Sequence, residues 1–337
     1  MAGAGMGGEM AVGPPGGAGL LAPPRPTPAG AVSSTHVVAS PRRRGSGQQR
    51  RERRGLLFVA PFLVLFVVFL VAPIGYAIYT SLYSSTLIGG THFSWLSNYR
   101  QVLTSSDFWS GFERVVVFAA VQVPLTLGLA ALFAVLFDVG LARFGRLFRA
   151  VFFVPFAVPA VVASVMWSFL LVPTFGPFTR LAGALGFKAV DFFSPNLILP
   201  TVIVIVVWEF TGYNMVIMYT ALKSVPRETV EAALIDGAGF RSAVWRVKLP
   251  MIRPAIVMLV FLNTIGALQL FTEPMILATF EPQAISYGFT PTIFVYNTSI
   301  GSGEYNLGAA AAVLLGLLIF VISFGSLQIR RRHGELG

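Results

Sequence analysis

Residues 115–137 read VVVFAAVQVPLTLGLAALFAVLF, a run of 23 residues without a charged side chain between Arg114 and Asp138. An α-helix rises 1.5 Å per residue, so about 20 apolar residues cross the hydrocarbon core of a bilayer. The run lacks the regular apolar and polar alternation of a strand in an outer-membrane barrel. It therefore predicts a membrane-spanning helix.

Five other stretches, of 25 to 31 residues, contain no charged residue except Glu209 and Glu273: 56–82, 150–179, 192–222, 254–280 and 305–329. The whole chain of 337 residues is 55% hydrophobic and 11% charged, with a mean hydropathy of +0.76. Soluble domains carry about 25% charged residues, so an ordinary soluble enzyme is excluded. We predict an all-α integral membrane protein with six transmembrane helices.

The basic residues predict the orientation. With a cytoplasmic N-terminus, 20 of the 24 Lys and Arg residues lie on the inside, in 1–55, 138–149, 223–253 and 330–337. The positive-inside rule then places both termini in the cytoplasm. Because the net charge of +10 is spread over these loops, it does not form the contiguous basic face that a nucleic acid needs.

The first 54 residues differ from the rest of the chain. Gly and Pro supply 18 of the first 50 residues, and seven arginines follow between 42 and 54. Such a segment cannot bury enough apolar surface to fold, so we predict a disordered cytoplasmic tail whose arginines contact anionic lipid. A regulatory or partner-binding role for this tail stays open. The predicted organisation is the tail 1–54, a six-helix domain 55–330 and a cytoplasmic C-terminal end 331–337.

The longest predicted inside loop, 223–254, contains the sequence SVPRETVEAALIDGAGFRSAVWRVKLPMIRP from Ser224 onward. We predict a short helix with Ser224 as its cap and Pro226 in its first turn. Gly237 or Gly239 ends that helix. A second short helix begins near Phe240 and stops before Pro250.

Two features of this loop indicate a protein partner. Ala232 and Ala233 leave a low surface on which another backbone can lie closely. Phe240, Val244 and Trp245 recur at helical spacing on a loop that has no core of its own. This pattern predicts that the loop inserts into a groove of another protein.

The loop resembles the EAA signature of binding-protein-dependent ABC importer permeases. The spacing is Glu-Ala-Ala, three residues, Gly, nine residues and Val-x-Leu-Pro, with Val247 where these permeases usually have Ile. The matching residues are Glu231, Ala232, Ala233, Asp236, Gly237, Ala238, Leu249 and Pro250. The resemblance implies that the loop couples the permease to a cytoplasmic ATPase.

Further patterns from about Arg54 to the C-terminus look like the maltose-type, carbohydrate-uptake branch of these permeases. They include Asn98-Tyr99, Phe108-Trp109, Phe148-Arg149, Pro155, Pro159, Trp167, Gly176-Pro177-Phe178, Leu270-Phe271-Thr272-Glu273-Pro274 and Leu277. The branch commonly has Gly-Gly-Pro just after the fifth helix, where this chain has Ala-Thr-Phe-Glu-Pro at 278–282. The resemblance implies a sugar or oligosaccharide as cargo.

The same resemblance implies the type I ABC importer permease fold and a set of partners. These are a second homologous permease, a cytoplasmic ABC ATPase dimer, an extracytoplasmic solute-binding protein and the lipid of a bacterial cell membrane. The chain has no phosphate-binding Gly-x-x-x-x-Gly-Lys-Ser/Thr loop, so we expect ATP and Mg²⁺ to be used by the partner ATPase and no cofactor to be bound here.

Ionisable residues inside a span are costly, and by default they indicate function. We predict a substrate path from two such residues and the polar or aromatic groups near them: Glu209, Glu273, Tyr213, Asn214 and Gln269. Carboxylates and amides can hydrogen-bond a polyol, and aromatic rings can stack on it. Alternatively, the carboxylates and amides hold neighbouring helices together.

Catalytic and metal-binding motifs are missing from the sequence. There is no Cys, and His36, His92 and His333 lie far apart. A secondary transporter with Glu209 or Glu273 as an ion site, and a polytopic enzyme acting on lipid-linked sugars, stay as alternatives from other classes. Permeases for amino acids, glycerol phosphate or phosphate are nearer alternatives, although the spans contain no Lys or Arg to hold an anion.

Overall fold

The computed structural model describes residues 58–86, 89–140, 145–174, 176–186 and 190–332. From Phe62 onward, the described helices belong to one compact unit. The predicted tail 1–54 and residues 333–337 of the predicted C-terminal end lie outside the described residues, so their assignment stays a prediction.

The described part of the chain is mostly helical. In chain order its helices are α1 Phe58–Ser81, α2 Ser97–Thr104, α3 Ser106–Asp138, α4 Gly145–Ala157, α5 Ala160–Leu171, α6 Pro177–Ala184, α7 Ile198–Lys223, α8 Arg227–Ile235, α9 Phe240–Ala243, α10 Leu249–Met251, α11 Arg253–Leu268, α12 Thr272–Phe280, α13 Pro291–Tyr296 and α14 Tyr305–Arg332. Single π-helical turns occupy Val67–Val71, Val244–Lys248 and Asn297–Gly301. Strands β1 Tyr83–Thr86 and β2 Gly90–Phe93 pair antiparallel in a hairpin.

Among the described residues, five apolar segments are long enough to cross a membrane, and a bent pair of helices can supply the sixth predicted span. The five are the helical segments Phe58–Ser81, Ser106–Asp138, Ile198–Lys223, Arg253–Phe280 and Tyr305–Gly325. The bent pair is α4 and α5, which meet at 95°. The sequence predicted one span over 150–179, whereas the structure breaks that span before Pro159, whose ring cannot donate a backbone hydrogen bond.

The second span is longer than predicted. The hydroxyl of Ser105 accepts a hydrogen bond from the backbone N–H of Phe108 and caps α3. The helix therefore begins at Ser106, nine residues before the predicted start at 115. The helix continues for 33 residues, through Pro124, to Asp138.

The core of the protein lies around α7, which packs along α3 and α4. Val202, Ile205 and Met215 of α7 are fully buried there, and Ala130 and Ala134 of α3 are as well. By contrast, α1 buries only Ser81 of its segment Ala72–Ser81. The apolar side chains of α1 face outward, as on a helix that contacts lipid.

Candidate functional site

A cavity of about 510 Å³ lies among the membrane-spanning helices. Its wall combines residues of α3, α4, α5, α7, α11 and α12 with the link between the last two. The aromatic side chains on the wall are Phe118, Phe156, Phe210, Tyr213 and Phe271, and the polar ones are Gln122, Asn263, Gln269, Thr272 and Glu273. Such a wall offers both ring faces and hydrogen-bonding groups to a ligand.

An interruption in the fifth span brings several polar groups to this cavity. α11 ends at Leu268 and α12 begins at Thr272, so residues 269–271 leave the helix. Thr292 donates to the carbonyl of Leu270 at 2.5 Å and so satisfies one of the backbone groups released by the break. Non-helical backbone at membrane depth is tolerated where it lines a cavity or is buried in protein.

Stacked aromatic rings form another part of the wall. The rings of Phe156 and Tyr213 lie 4.4 Å apart at 20°, and Phe210 meets Phe156 edge-on at 5.8 Å. The close approach of α4 and α7 depends on Gly212, because a Cβ there would lie 1.7 Å from the carbonyl oxygen of Phe152. The missing side chain of Gly212 therefore lets α7 approach α4 closely enough for their aromatic rings to stack on the cavity wall.

Three of the five predicted substrate-path residues lie on this wall: Tyr213, Gln269 and Glu273. Glu273 is 7% exposed and stands in the first turn of α12. Asn214 is fully buried outside the wall, where it pairs with the wall residue Asn263. Such a pair acts between helices as well as supporting the cavity.

Glu209 also lies outside the wall. It is 4% exposed, and its Oε2 has no hydrogen-bond partner among the described residues. The indole Nε1 of Trp167 is the other buried side-chain atom without a partner in the described part of the chain. In those residues, no group of three or more His, Cys, Asp or Glu side chains is placed to hold a metal ion.

The sequence analysis did not identify Gln122 or Phe156 as wall residues. Gln122 is 2% exposed, and its amide donates to Thr126 in the next turn of α3. A lone Gln in an apolar span is a usable signal, since polar side chains are costly in a membrane. A Phe in such a span carries no comparable signal.

The predicted coupling loop forms a defined helix end at its EAA motif. α8 spans Arg227–Ile235, and Gly237 follows with φ +87°. The N–H of Gly237 donates to Leu234 at 3.1 Å, and the N–H of Ala238 donates to Ala233 at 3.0 Å. These two bonds make a Schellman motif, which requires the left-handed conformation that Gly adopts without strain.

Details of the loop differ from the prediction. Ser224 does not cap α8, because its hydroxyl donates to Ala221 at the end of α7. Pro226 stands at the N-cap of α8 rather than in its first turn. The second helical segment also continues through a π-helical turn and Leu249–Met251, so it includes Pro250.

The outer surface of the loop is exposed and apolar. Ile235 and Trp245 are 85% and 71% exposed, and Leu234 and Met251 are also exposed. Glu231, Ala232, Asp236, Gly237 and Pro250 are exposed too, whereas Ala233, Ala238 and Leu249 are half-buried. Val244 is buried within this chain, so its predicted place on the docking face is wrong. We call the exposed apolar set Leu234, Ile235, Trp245 and Met251 the loop face.

An ionic cluster that the sequence analysis missed lies beside the loop. Asp138 Oδ1 is 3.0 Å from Nζ of Lys223, and its Oδ2 is 2.5 Å from Nζ of Lys248. The Asp138 side chain is only 3% exposed. A carboxylate at a helix C-terminus opposes the helix dipole, and this unfavourable placement was the available sequence signal.

Comparison with known proteins agrees with this arrangement. Residues 126–332 match the family described as "Binding-protein-dependent transport system inner membrane component". The probable ABC transporter permease protein y4oQ of Sinorhizobium fredii is 31% identical over 86% of this chain and 94% of its own length. The trehalose/maltose transport system permease protein MalF of Thermococcus litoralis is 28% identical over 84% and 95%.

The fold also matches a solved structure. A chain from a bacterial alginate ABC transporter, in complex with an alginate pentasaccharide-bound periplasmic protein, superposes with a TM-score of 0.72. The two chains are 18% identical, and the match covers 85% of this chain and 96% of the other. The likeness extends over nearly the whole helical domain.

Proposed function

The chain belongs to the family of binding-protein-dependent transport system inner membrane components, the permease subunits of ABC importers, and we propose that its cargo is a neutral sugar or oligosaccharide. The observation that carries this proposal is the cavity wall, which joins five aromatic rings to five polar side chains and includes no Lys or Arg. Hydrogen-bonding groups in an otherwise apolar pocket orient a ligand. One of the similar proteins, 28% identical to this chain, is named for trehalose and maltose transport.

Within the cavity, we assign cargo contact to Glu273, Gln269 and Tyr213. The Glu273 carboxylate accepts hydrogen bonds from sugar hydroxyls, and the Gln269 amide both accepts and donates them. The Tyr213 ring, stacked on Phe156, offers a flat surface. Asn214 and Glu209 stand behind the wall. Their role is to position it, Asn214 through its bond to Asn263.

The predicted coupling loop 223–254 is the docking element for the ATPase. Its loop face presents Leu234, Ile235, Trp245 and Met251 without a covering element in the described chain, at the side that the positive-inside rule places in the cytoplasm. An amphipathic helix of this kind fits a hydrophobic groove. ATP and Mg²⁺ are used by that partner, and a second permease completes the path.

The complex alternates between inward- and outward-facing states. ATP-driven closure of the ATPases moves the docked loop, and the helices rotate as rigid bodies about the cavity. An extracytoplasmic solute-binding protein delivers the sugar. The chain is thus a multi-pass membrane protein, and we place both of its termini in the cytoplasm.

Purification from the native host in a mild detergent, followed by mass spectrometry, tests the assembly. We expect an ATPase and a second six-helix chain to copurify, and the Glu231→Lys variant to lose the ATPase while still inserting in the membrane. A chain that purifies alone in several detergents would contradict the proposal.

A substrate panel tests the cargo. Uptake of trehalose, maltose, lactose and glycerol 3-phosphate is compared for the wild type and for Gln269→Ala, with the exposed Gln101→Ala as the matched control. We expect the wild type and Gln101→Ala to take up at least one of the sugars at the same rate, and Gln269→Ala to take it up more slowly. Uptake of glycerol 3-phosphate but of none of the sugars would contradict the proposed sugar cargo and indicate an anionic one.

A further inference from the structure

Asp138 joins three elements that the chain brings together at one end of the helical domain. Asp138 is the last residue of α3, and Lys223 is the last residue of α7. Lys248 is the last residue of the π-helical turn in the coupling loop. The two oxygens of Asp138 each contact one lysine. One buried side chain therefore connects the loop to the two spans that form the centre of the protein.

The geometry of this cluster differs from that of a surface ion pair. Asp138 is 3% exposed and Lys248 is 18% exposed, so two of the three charges are withdrawn from water. Taking a charge out of water is unfavourable, and a negative charge at a helix C-terminus adds to this cost. The two lysines compensate the carboxylate, and removing either one would leave a buried charge with a partner missing, so the three elements resist separation.

The cluster also adjoins the EAA motif. Asp138 and Lys248 line a cavity of about 180 Å³ together with Arg227 and Glu231 of α8. The glutamate of the motif and the buried carboxylate thus border the same space.

We propose that the Asp138 carboxylate is the joint through which the coupling loop moves α3 and α7. This inference rests on the proposed function, since it assigns a positioning residue to the ATP-driven cycle. Lys248 transfers the movement of the loop to Asp138, and Lys223 transfers it to α7.

Both spans lead from this joint to the large cavity. Gln122 on α3 lies 16 residues from Asp138, a distance of roughly 24 Å along a helix. Tyr213 on α7 lies 10 residues from Lys223, or roughly 15 Å. Both segments stay helical over these distances, α3 through Pro124, so a displacement at the joint reaches the cavity wall along them.

The test uses a cysteine in the cavity as a reporter. The chain has no Cys, and a Cβ at the wall residue Gly266 meets nothing within 4 Å, so Gly266→Cys adds one thiol without a clash. Its rate of labelling by a small water-soluble maleimide is measured in the purified complex, with and without ATP plus vanadate. Neither the maleimide nor ATP plus vanadate requires that the transported sugar be known.

We expect ATP plus vanadate to change the labelling rate in the Gly266→Cys background. Adding Asp138→Asn or Lys248→Gln removes that change, although the ATPase still copurifies and hydrolyses ATP. Lys223→Gln reduces the change, because its lysine is the more exposed of the two. Glu113→Gln, an exposed carboxylate at the other end of α3, is the matched control and keeps the change.

Retention of the full ATP-dependent change in Asp138→Asn would overturn the joint while leaving the proposed function intact. If Asp138→Asn does not assemble, Lys248→Gln decides in the same way, because it leaves Asp138 paired with Lys223. The absence of any ATP-dependent change in the otherwise wild-type background would overturn both proposals, since there would be no movement to transmit.

Discussion

The side-chain amides of Asn214 and Asn263 hydrogen-bond each other in both directions, at 2.8 and 3.3 Å, and so join α7 to α11 within the membrane-spanning region. Each amide also donates to its own helix, to Phe210 and Leu259 respectively. Three of these four bonds involve Asn263 and hold it at the cavity wall. Asn214 therefore positions the wall residue Asn263 without lining the cavity itself.

We predict that Asn214→Ala destabilises the protein by about 1 kcal/mol, because it removes the interhelical bonds and leaves Asn263 without its partner. The KM for sugar uptake should rise as the freed amide moves. A thermal unfolding curve in detergent and an uptake assay measure the two effects. Thr220→Ala, an exposed residue of α7 that bonds only within its helix, is the control. Unchanged stability and KM in Asn214→Ala would refute the positioning role.

Gly237→Ala should weaken the end of α8. The left-handed conformation at φ +87° costs an L-residue about 1–2 kcal/mol, so the Schellman motif and the loop face are distorted. We expect normal insertion in the membrane but reduced copurification of the ATPase. Gly239→Ala is the matched control, because Gly239 lies two residues away in open space and without a positive φ. Equal behaviour of the two variants would argue against this interpretation.

Gly212→Ala tests the close packing of α4 against α7. The new Cβ would overlap the carbonyl oxygen of Phe152, and we expect a loss of about 3 kcal/mol in stability or no folded protein. Gly128→Ala, on an exposed face of α3 with nothing within 4 Å, should be tolerated. Thermal unfolding of both variants in detergent distinguishes them, and a stable Gly212→Ala would show that the helices separate readily.

The orientation of the chain can be measured because the sequence contains no cysteine. A membrane-impermeant maleimide added to intact cells should label Trp95→Cys, next to the β-hairpin, and leave Trp245→Cys unlabelled. In opened membranes, Trp245→Cys should become reactive, and a bound ATPase should protect it. Labelling of Trp245→Cys in intact cells would reverse the predicted topology.

Much of the fold could be predicted because span length depends mainly on the absence of charge. The sequence identified all six apolar segments, but not the 95° break between α4 and α5. Four prolines, Pro155, Pro159, Pro173 and Pro177, lie in this stretch, and each of them can bend or end a helix. Only the packing of the neighbouring helices determines that the sharp turn falls at Pro159 while Pro155 lies inside α4.

The sequence analysis named three residues that line the cavity, Tyr213, Gln269 and Glu273, and two that do not, Asn214 and Glu209. α7 is apolar around its whole circumference, so its sequence carries no stripe that indicates which face turns toward the cavity. Tyr213 and Asn214 are adjacent in sequence, yet one lines the cavity and the other is buried against α11. The Asp138 cluster joins residues 85 and 110 positions apart, and spacing within one segment cannot reveal such a contact.

Sugar uptake by cells or right-side-out vesicles, measured separately under an uncoupler and under ATP depletion, tests most directly whether this chain works in an ATP-driven importer. We predict that uptake continues when an uncoupler removes the ion gradients while ATP stays high, and that it stops when ATP is depleted. Uptake that collapses under the uncoupler with ATP unchanged would contradict the account and favour a secondary transporter with Glu209 or Glu273 as its ion site.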